Sequence, residues 1–212
     1  MAYFKRIIPS LLLSDGRLVK GVQFKNHQDA GNPASTIRIF NDQMADEIIV
    51  CDINASKRRV GPDLVALNAF ASRCFVPICY GGGIKNLEMA KKVILNGADK
   101  VLVNSHAINN PKLISEISDA IGSQAVVVAV DFVKTHAGHR VAKQNAQIVT
   151  SLNPIEWCKE VQNLGAGELV LTSVDQEGTR NGIEHSIIEE VSKVVELPII
   201  VQGGIGSLDD CA

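Results

Sequence analysis

Two glycine clusters carry the first chemical signal in the chain. Gly81-Gly82-Gly83-Ile84 follows the apolar run Val76–Tyr80, and Gly203-Gly204-Ile205 follows a second run that ends at Val201. Glycines let backbone N–H groups approach an anion closely, and a helix that opens just after such a loop adds its positive end. Asn104-Ser105 and Glu177-Gly178-Thr179 occupy comparable places after two further runs. One glycine pair alone reads equally well as a tight turn. Two matched clusters instead suggest a ligand with two phosphates, held at both ends. At the opposite ends of the runs stand Arg6, Glu47, Lys100 and Glu168, two cations and two anions. Buried charges are costly unless paired, so these four read either as a closing salt-bridge plug or as a gate on a passage. Spacing alone favours the plug.

The elements that must position these residues are short and regular. Apolar runs at Ile7–Leu13, Glu47–Ile53, Val76–Tyr80, Lys100–Asn104, Ala125–Asp131, Glu168–Ser173 and Pro198–Val201 are nearly continuous and rich in Val and Ile. That is the pattern of parallel strands buried on both faces. Helices fall between them. Asn110-Pro111 opens one whose stripe is Leu113, Ile114, Ile117 and Ile121, with Gly122 as its stop. Asn153-Pro154 opens another, with Trp157, Val161 and Leu164 inward and Gly165 after it, and Asn86 caps a third. Ser207 begins a last helix, and the polar stretch Lys134–Thr150 reads as a long loop or hairpin.

Such strand–helix units make either an open doubly wound sheet or a (β/α)8 barrel. An internal repeat favours the barrel. Val76–Ile84 matches Leu197–Ile205 at an offset of 121 residues, and the same offset carries Ala45-Asp46-Glu47 onto Ala166-Gly167-Glu168. Two matched halves are the pattern of a barrel built from duplicated half-barrels. The expected fold is therefore an α/β, (β/α)8 TIM barrel made of two half-barrel repeats, spanning residues 1–212 as one domain without a linker.

Composition excludes several functions. The chain has 212 residues, 46% hydrophobic, with a formal net charge of −2. That balance argues against disorder and against a nucleic-acid partner. No apolar run approaches 18 residues, so no membrane partner is expected. The N-terminal segment has no signal-peptide pattern. Five cysteines (Cys51, Cys74, Cys79, Cys158 and Cys211) form no CxxC pair, which suits a reduced, cytoplasmic protein. The five histidines lack metal-ligand spacing, so neither metal nor cofactor is expected. Trp157 and Cys79 read as packing residues.

The residues quoted above are also where a family resemblance lies. Arg6-Ile7-Ile8-Pro9, Asp15-Gly16-Arg17, Val19-Lys20-Gly21, Ala45-Asp46-Glu47, Gly81-Gly82-Gly83-Ile84, Gly97-Ala98-Asp99-Lys100-Val101, Val128-Ala129-Val130-Asp131, Gly165-Ala166-Gly167-Glu168 and Leu171–Thr179 resemble the cyclase subunit of imidazole glycerol phosphate synthase. The match runs in order along essentially the whole chain. It implies a (β/α)8 barrel that binds a bisphosphorylated substrate, with a glutaminase docked at its N-terminal face and ammonia travelling up the axis. On that reading Arg6, Glu47, Lys100 and Glu168 match the family's ammonia gate, and Asp99 its glutaminase interface. The candidate substrate- and phosphate-binding set is Lys20, Asp52, Gly82, Gly83, Asn104, Ser105, Thr172, Gly178, Gly203 and Gly204.

One departure stands out. The family uses two aspartates as general acid and base, at the ends of strands one and five. Asp131 holds the second position, but the first is Leu12, within Ser10-Leu11-Leu12-Leu13, where the cyclases carry a Cys-Leu-Asp-Val type segment. Leucine can neither take nor give a proton. Asp15 belongs to the Asp-Gly-Arg match and is not a shifted replacement. Gln202 is a second departure, beside the phosphate glycines. Both look like a branch of cyclase-like proteins linked to surface-polysaccharide genes, which work with a glutaminase and a sugar amidotransferase. That branch is thought to deliver ammonia for turning an acetamido group into an acetamidino group. The resemblance thus implies an ammonia-conducting lyase-type synthase subunit with weak or no cyclase activity. The alternative is a genuine cyclase in histidine biosynthesis, and a plain sugar-phosphate isomerase using Asp131 alone is a third reading. Barrels of this type typically run to about 250 residues, so the chain is expected to lack its last strand–helix unit, as a fragment would.

Overall fold

The computed structural model describes residues 5–58 and 60–211. The described residues divide into two compact units, the first lying within 5–20 and 28–102 and the second within 21–27 and 103–211.

Through residue 103 the elements are β1 (Ser10–Ser14), β2 (Arg17–Val22) and β3 (Lys25–Gly31), then α1 (Pro33–Asp42), β4 (Ile48–Asp52), α2 (Ala55–Arg58), α3 (Leu64–Ala71), β5 (Ile78–Gly81), α4 (Leu87–Leu95) and β6 (Lys100–Val103), all in the first unit except residues 21–27 and Val103. Strands β1, β4, β5 and β6 run parallel in the sheet order β6-β5-β4-β1. Val50, Cys79, Tyr80 and Val101 along them are fully buried, as strands covered on both faces require. Helix starts follow side-chain chemistry. Asn32 accepts from the N–H groups of Ala34 and Ser35 and precedes Pro33, while Asn86 accepts from Met89 and caps α4 as expected.

The second unit contains α5 (Ser105–Asn109), α6 (Lys112–Ile121), β7 (Val126–Thr135), β8 (Gly138–Lys143), β9 (Ile148–Val149), α7 (Pro154–Asn163), β10 (Glu168–Ser173), α8 (His185–Ser192) and β11 (Ile199–Gln202). Parallel strands β7, β10 and β11 adjoin in that order, and β8 and β9 continue antiparallel from β7. The polar stretch after the fifth parallel strand is thus a hairpin. Asn153 caps α7 through Ile155 and Glu156, Trp157 and Val161 are buried, and Leu164 is half-buried. Helix α6 differs from expectation at its start. It begins at Lys112 with Pro111 in the capping position and no side-chain cap. Leu113, Ile114 and Ile117 are buried as the stripe requires, and Gly122, at φ +91°, ends the helix. The segment after Ser207 forms only a short 3-10 turn, Asp209–Cys211.

Parallel strands alternating with helices along the chain are the element order of the (β/α)8 class read from the sequence. Strands β2 and β3 are additional. Among the described residues no helix is long and apolar enough to cross a membrane.

Candidate functional site

The strand registers locate the reactive positions. In the first unit Leu12 pairs with Cys51, and in the second Asp131 pairs with Thr172. Cys51 and Thr172 are themselves separated by the repeat offset of 121 residues. Leu12 and Asp131 are therefore equivalent places in the two repeats, as the family resemblance requires.

Asp131 is buried and hydrogen-bonded. The Asn104 side-chain amide donates to its Oδ2 at 2.7 Å, and the buried Thr172 is a second side-chain partner. Burial pushes its carboxyl up to about 6, against the downward pull of both hydrogen bonds. A carboxyl held near 6 can give and take a proton close to neutral pH. Asn104 adopts an unusual backbone conformation (φ −143°, ψ −97°), and its Oδ1 is buried without a hydrogen-bond partner. Ser105 accepts the Gln144 N–H at 2.9 Å through its hydroxyl.

In the first unit, Asp52 ends β4 half-buried. Its Oδ1 accepts from the N–H groups of Asn54 and Ala55 at 2.9 and 3.1 Å. Burial raises this carboxyl above its ordinary range, and the two backbone bonds pull against that. Lys20 is exposed. Gly82 and Gly83 have φ of +111° and +71°. A Cβ on Gly82 would run into the carbonyl oxygen of Asp52, and one on Gly83 into Ala55, Val60 and Gly61. The second cluster repeats this. Gly203, at φ +102°, would put a Cβ 2.6 Å from the carbonyl oxygen of Ser173, the residue 121 positions after Asp52. Gly204 would meet Gly182. Both clusters need glycine for the same close approach of backbone to backbone.

Gly178 is required for another reason. Its Cβ would strike the carbonyl oxygen of Gly21 at 2.5 Å, because residues 21–24 lie against the turn after β10. Gln23 donates its N–H to the Glu177 carbonyl and its side-chain amide to that of Asp175, and the Phe24 N–H reaches the Glu177 carboxylate at 3.3 Å. Sequence reasoning missed this strap, and it missed a polar group in the first unit. There Asn54 donates to the Ser14 hydroxyl at 2.8 Å, Arg58 pairs with Asp15, and the Tyr80 hydroxyl accepts the Asp63 N–H at 2.9 Å.

The charged residues at the strand starts divide between the units. Glu47, only 3% exposed, accepts from Lys100 at 2.7 Å and Arg6 at 3.2 Å, both on Oε2. Its Oε1 is buried without a hydrogen-bond partner. Asp99 uses its carboxylate on the Ile78 N–H at 2.8 Å, pinning the start of β5. Glu168 is buried at the first residue of β10 in the second unit. Among the described residues no group of three or more His, Cys, Asp or Glu could hold a metal ion.

An α/β chain of (β/α) repeats, with duplicated glycine loops at one end of its strands and ion-paired charges at the other, defines the class. Residues 6–212 match the family described as "Histidine biosynthesis protein", and the chain belongs to it. It is 44% identical over 205 residues to the imidazole glycerol phosphate synthase subunit HisF of Chlorobium phaeobacteroides, covering 97% of this chain and 82% of that one. A putative HisF of Leptospira borgpetersenii is 44% identical over 206 residues, covering 96% and 81%. The HisF subunit of Chloroherpeton thalassium is 42% identical over 204 residues, with the same coverages.

Proposed function

We propose that this cyclase-subunit-like protein receives ammonia from a glutaminase docked at the N-terminal ends of its strands. The ammonia passes along the barrel axis for amidation of a sugar in surface-polysaccharide synthesis, with a sugar amidotransferase as the further partner. In this reading Glu47, Arg6, Lys100 and Glu168 gate the ammonia, and Asp99 belongs to the docking face. Lys20, Asp52 and the Gly82–Gly83 loop of the first unit bind phosphorylated substrate in this reading, as do Asn104, Thr172 and the Gly203–Gly204 loop of the second, in the cytoplasm. The observation that carries the reading is Leu12. It stands at the repeat position equivalent to Asp131, and loss of one positioned acid or base typically costs about 10²–10⁴ in rate.

A genuine cyclase in histidine biosynthesis is the second reading. It is favoured by the intact Asp131–Asn104–Thr172 group, whose carboxyl is tuned to about 6. A single assay separates the two. The full chain is supplied with an ammonium salt and the bisphosphorylated substrate of the cyclases, and imidazole glycerol phosphate is measured. The first reading expects turnover about 10²-fold or more below that of a HisF relative assayed alongside. Turnover matching the relative's overturns it in favour of the second. In the complex with glutaminase, Lys100→Ala is expected to lower glutamine-dependent ammonia transfer while leaving use of free ammonium intact. Unchanged transfer removes the gate.

A further inference from the structure

Each repeat sends a hairpin out of the strand that carries its reactive position, and an arginine stands at the same place in both hairpins. In the first unit Leu12 pairs with Val19, and Ser14, two residues on, pairs with Arg17. In the second Asp131 pairs with Ala142, and Val133, two residues on, pairs with Arg140. Arg17 and Arg140 are therefore register equivalents. Side chains alternate along a strand, and directly opposed residues share a face. Arg140 thus lies on the face of the β7–β8 hairpin that also carries Asp131.

The two arginines are satisfied differently. Arg17 donates Nε and Nη2 to the two carboxylate oxygens of Asp29, at 2.7 and 2.9 Å. Arg140 is half-buried and makes no ion pair with any described residue; its Nη1 donates to the neighbouring His139 carbonyl at 2.8 Å. The sequence explains the difference. From Phe132 to Ile155 the chain carries Lys134, Arg140, Lys143 and two histidines, but no Asp or Glu. Asp131, the one carboxylate on that face of the hairpin, already accepts from Asn104 and Thr172. Lys134 and Lys143 lie on the opposite face with Phe132 and His139, and Lys143 donates to the Asn109 side chain. The hairpin therefore presents a local excess of positive charge, with Arg140 alone of its three cations on the Asp131 face.

We infer that Arg140 binds an anionic group of the substrate held at Asp131, a phosphoryl or carboxylate group separate from those at the glycine loops. This rests on the proposal above that a phosphorylated substrate lies at the Asp131 group. The guanidinium fork matches either group through two parallel N–H bonds. Arg17 has that fork filled by a carboxylate at the equivalent place. At Arg140 no internal acid has to be displaced, and only the His139 carbonyl must give way. A half-buried cation without a counter-charge is costly, and an anionic ligand offsets that cost on binding.

Calorimetric titration of the full chain with two probes, uridine diphosphate and glucuronate, tests this, with circular dichroism confirming that each variant is folded. The parent is expected to bind at least one of them. Arg140→Ala should weaken that binding by about tenfold or more, because a charge-assisted pair is lost. Arg140→Lys keeps the charge but not the fork and should weaken it by about threefold. Lys134→Ala, on the other face, should change it by less than about twofold. A loss confined to uridine diphosphate assigns a phosphoryl group, and one confined to glucuronate assigns a carboxylate. Nitrogen-15 NMR of the Arg140 Nε in the parent should shift with the bound probe, which an arginine serving only the fold would not show. A folded Arg140→Ala that binds as the parent does, with the labelled Asp131 carboxyl still shifted by the probe, overturns the role of Arg140 and leaves the substrate at Asp131. If neither probe binds the parent, or if binding leaves the Asp131 carboxyl unmoved, the substrate's place at Asp131 is overturned and the role of Arg140 with it.

Discussion

Leu12 and Asp131 occupy the same register place in two repeats of one backbone, and their surroundings diverge as sharply as their chemistry. Around Asp131, Thr172 pairs across the strand and Asn104 reaches in from the end of β6. At the corresponding place in the first unit a leucine pairs with a cysteine. The glycine loops beside both places are the same, down to the carbonyl oxygen that each glycine lies against. Duplication fixed the backbone, because parallel strands and glycine turns tolerate little change. The residues at the strand ends carry no such packing constraint and were free to diverge. One repeat keeps a buried, titratable carboxyl at this place and the other a leucine.

Restoring symmetry at the strand ends is expected to have the largest effect. Leu12→Asp places a second carboxyl opposite Cys51, and ammonium-dependent formation of imidazole glycerol phosphate should rise by about 10²–10⁴. No rise in a folded Leu12→Asp protein would mean that register equivalence does not carry chemical equivalence. Next comes Asp131→Asn, which removes the titrating group while keeping a carbonyl oxygen for Asn104. The folded carboxyl of Asp131 titrates at about 6, against 3.8 for the ordinary group. Between those values the unfolded chain gives up its proton before the folded one does. Stability is therefore lost as pH rises from about 4 to about 6, and none of that loss returns above. The shift amounts to about 3 kcal/mol at most. Urea unfolding should find Asp131→Asn close to the parent at pH 4 and more stable by about 1–3 kcal/mol at pH 7.5. Equal stability at both pH values would show that burial does not disfavour the ionised carboxyl.

How much of this was legible in the sequence depended on whether the signal was local. The run Glu168–Ser173 is a strand with the bounds read from it, and the other runs hold strands whose ends differ by up to four residues, because continuous apolar residues are satisfied only between two covered faces. The caps at Asn86 and Asn153 were legible for the same reason, since each acts within three residues. Strands β2 and β3 were not. Lys25–Gly31 is polar and almost wholly exposed, held by cross-strand pairs such as Arg17–Asp29 rather than by a hydrophobic period. Of the site, the glycine loops and charged strand starts could be read from residue type and the repeat. The partners of Asp131 could be named singly, but their convergence depends on strand register, which no window of sequence encodes. The bonds by which Asn41 accepts the Phe75 N–H and Gln162 the Glu196 N–H were invisible likewise, although the 121-residue offset that relates them was in plain view.

The charged ends permit a third comparison. Glu47 and Glu168 are repeat equivalents and both are buried, and Glu47 has Lys100 and Arg6 on one oxygen. Lys100→Ala leaves a buried carboxylate with only the half-exposed Arg6, and should lower unfolding free energy by about 1–3 kcal/mol in urea titrations. A loss below about 0.5 kcal/mol would show that the cluster contributes little to the fold.

The smallest expected effect lies back at Asp131. The Thr172 hydroxyl favours the ionised carboxylate, so Thr172→Val should move the Asp131 midpoint upward from about 6, because burial then acts with less opposition. Carbon-13 NMR of the labelled carboxyl reads that midpoint directly. The same substitution puts a branched apolar residue where the first repeat carries Cys51, and so makes the second repeat resemble the first by one step. A midpoint that stays put would assign the hydrogen-bond pull against burial to Asn104 alone. The decisive difference between the repeats would then lie in the residue reaching in from β6, with the strand partner contributing only its place in the register.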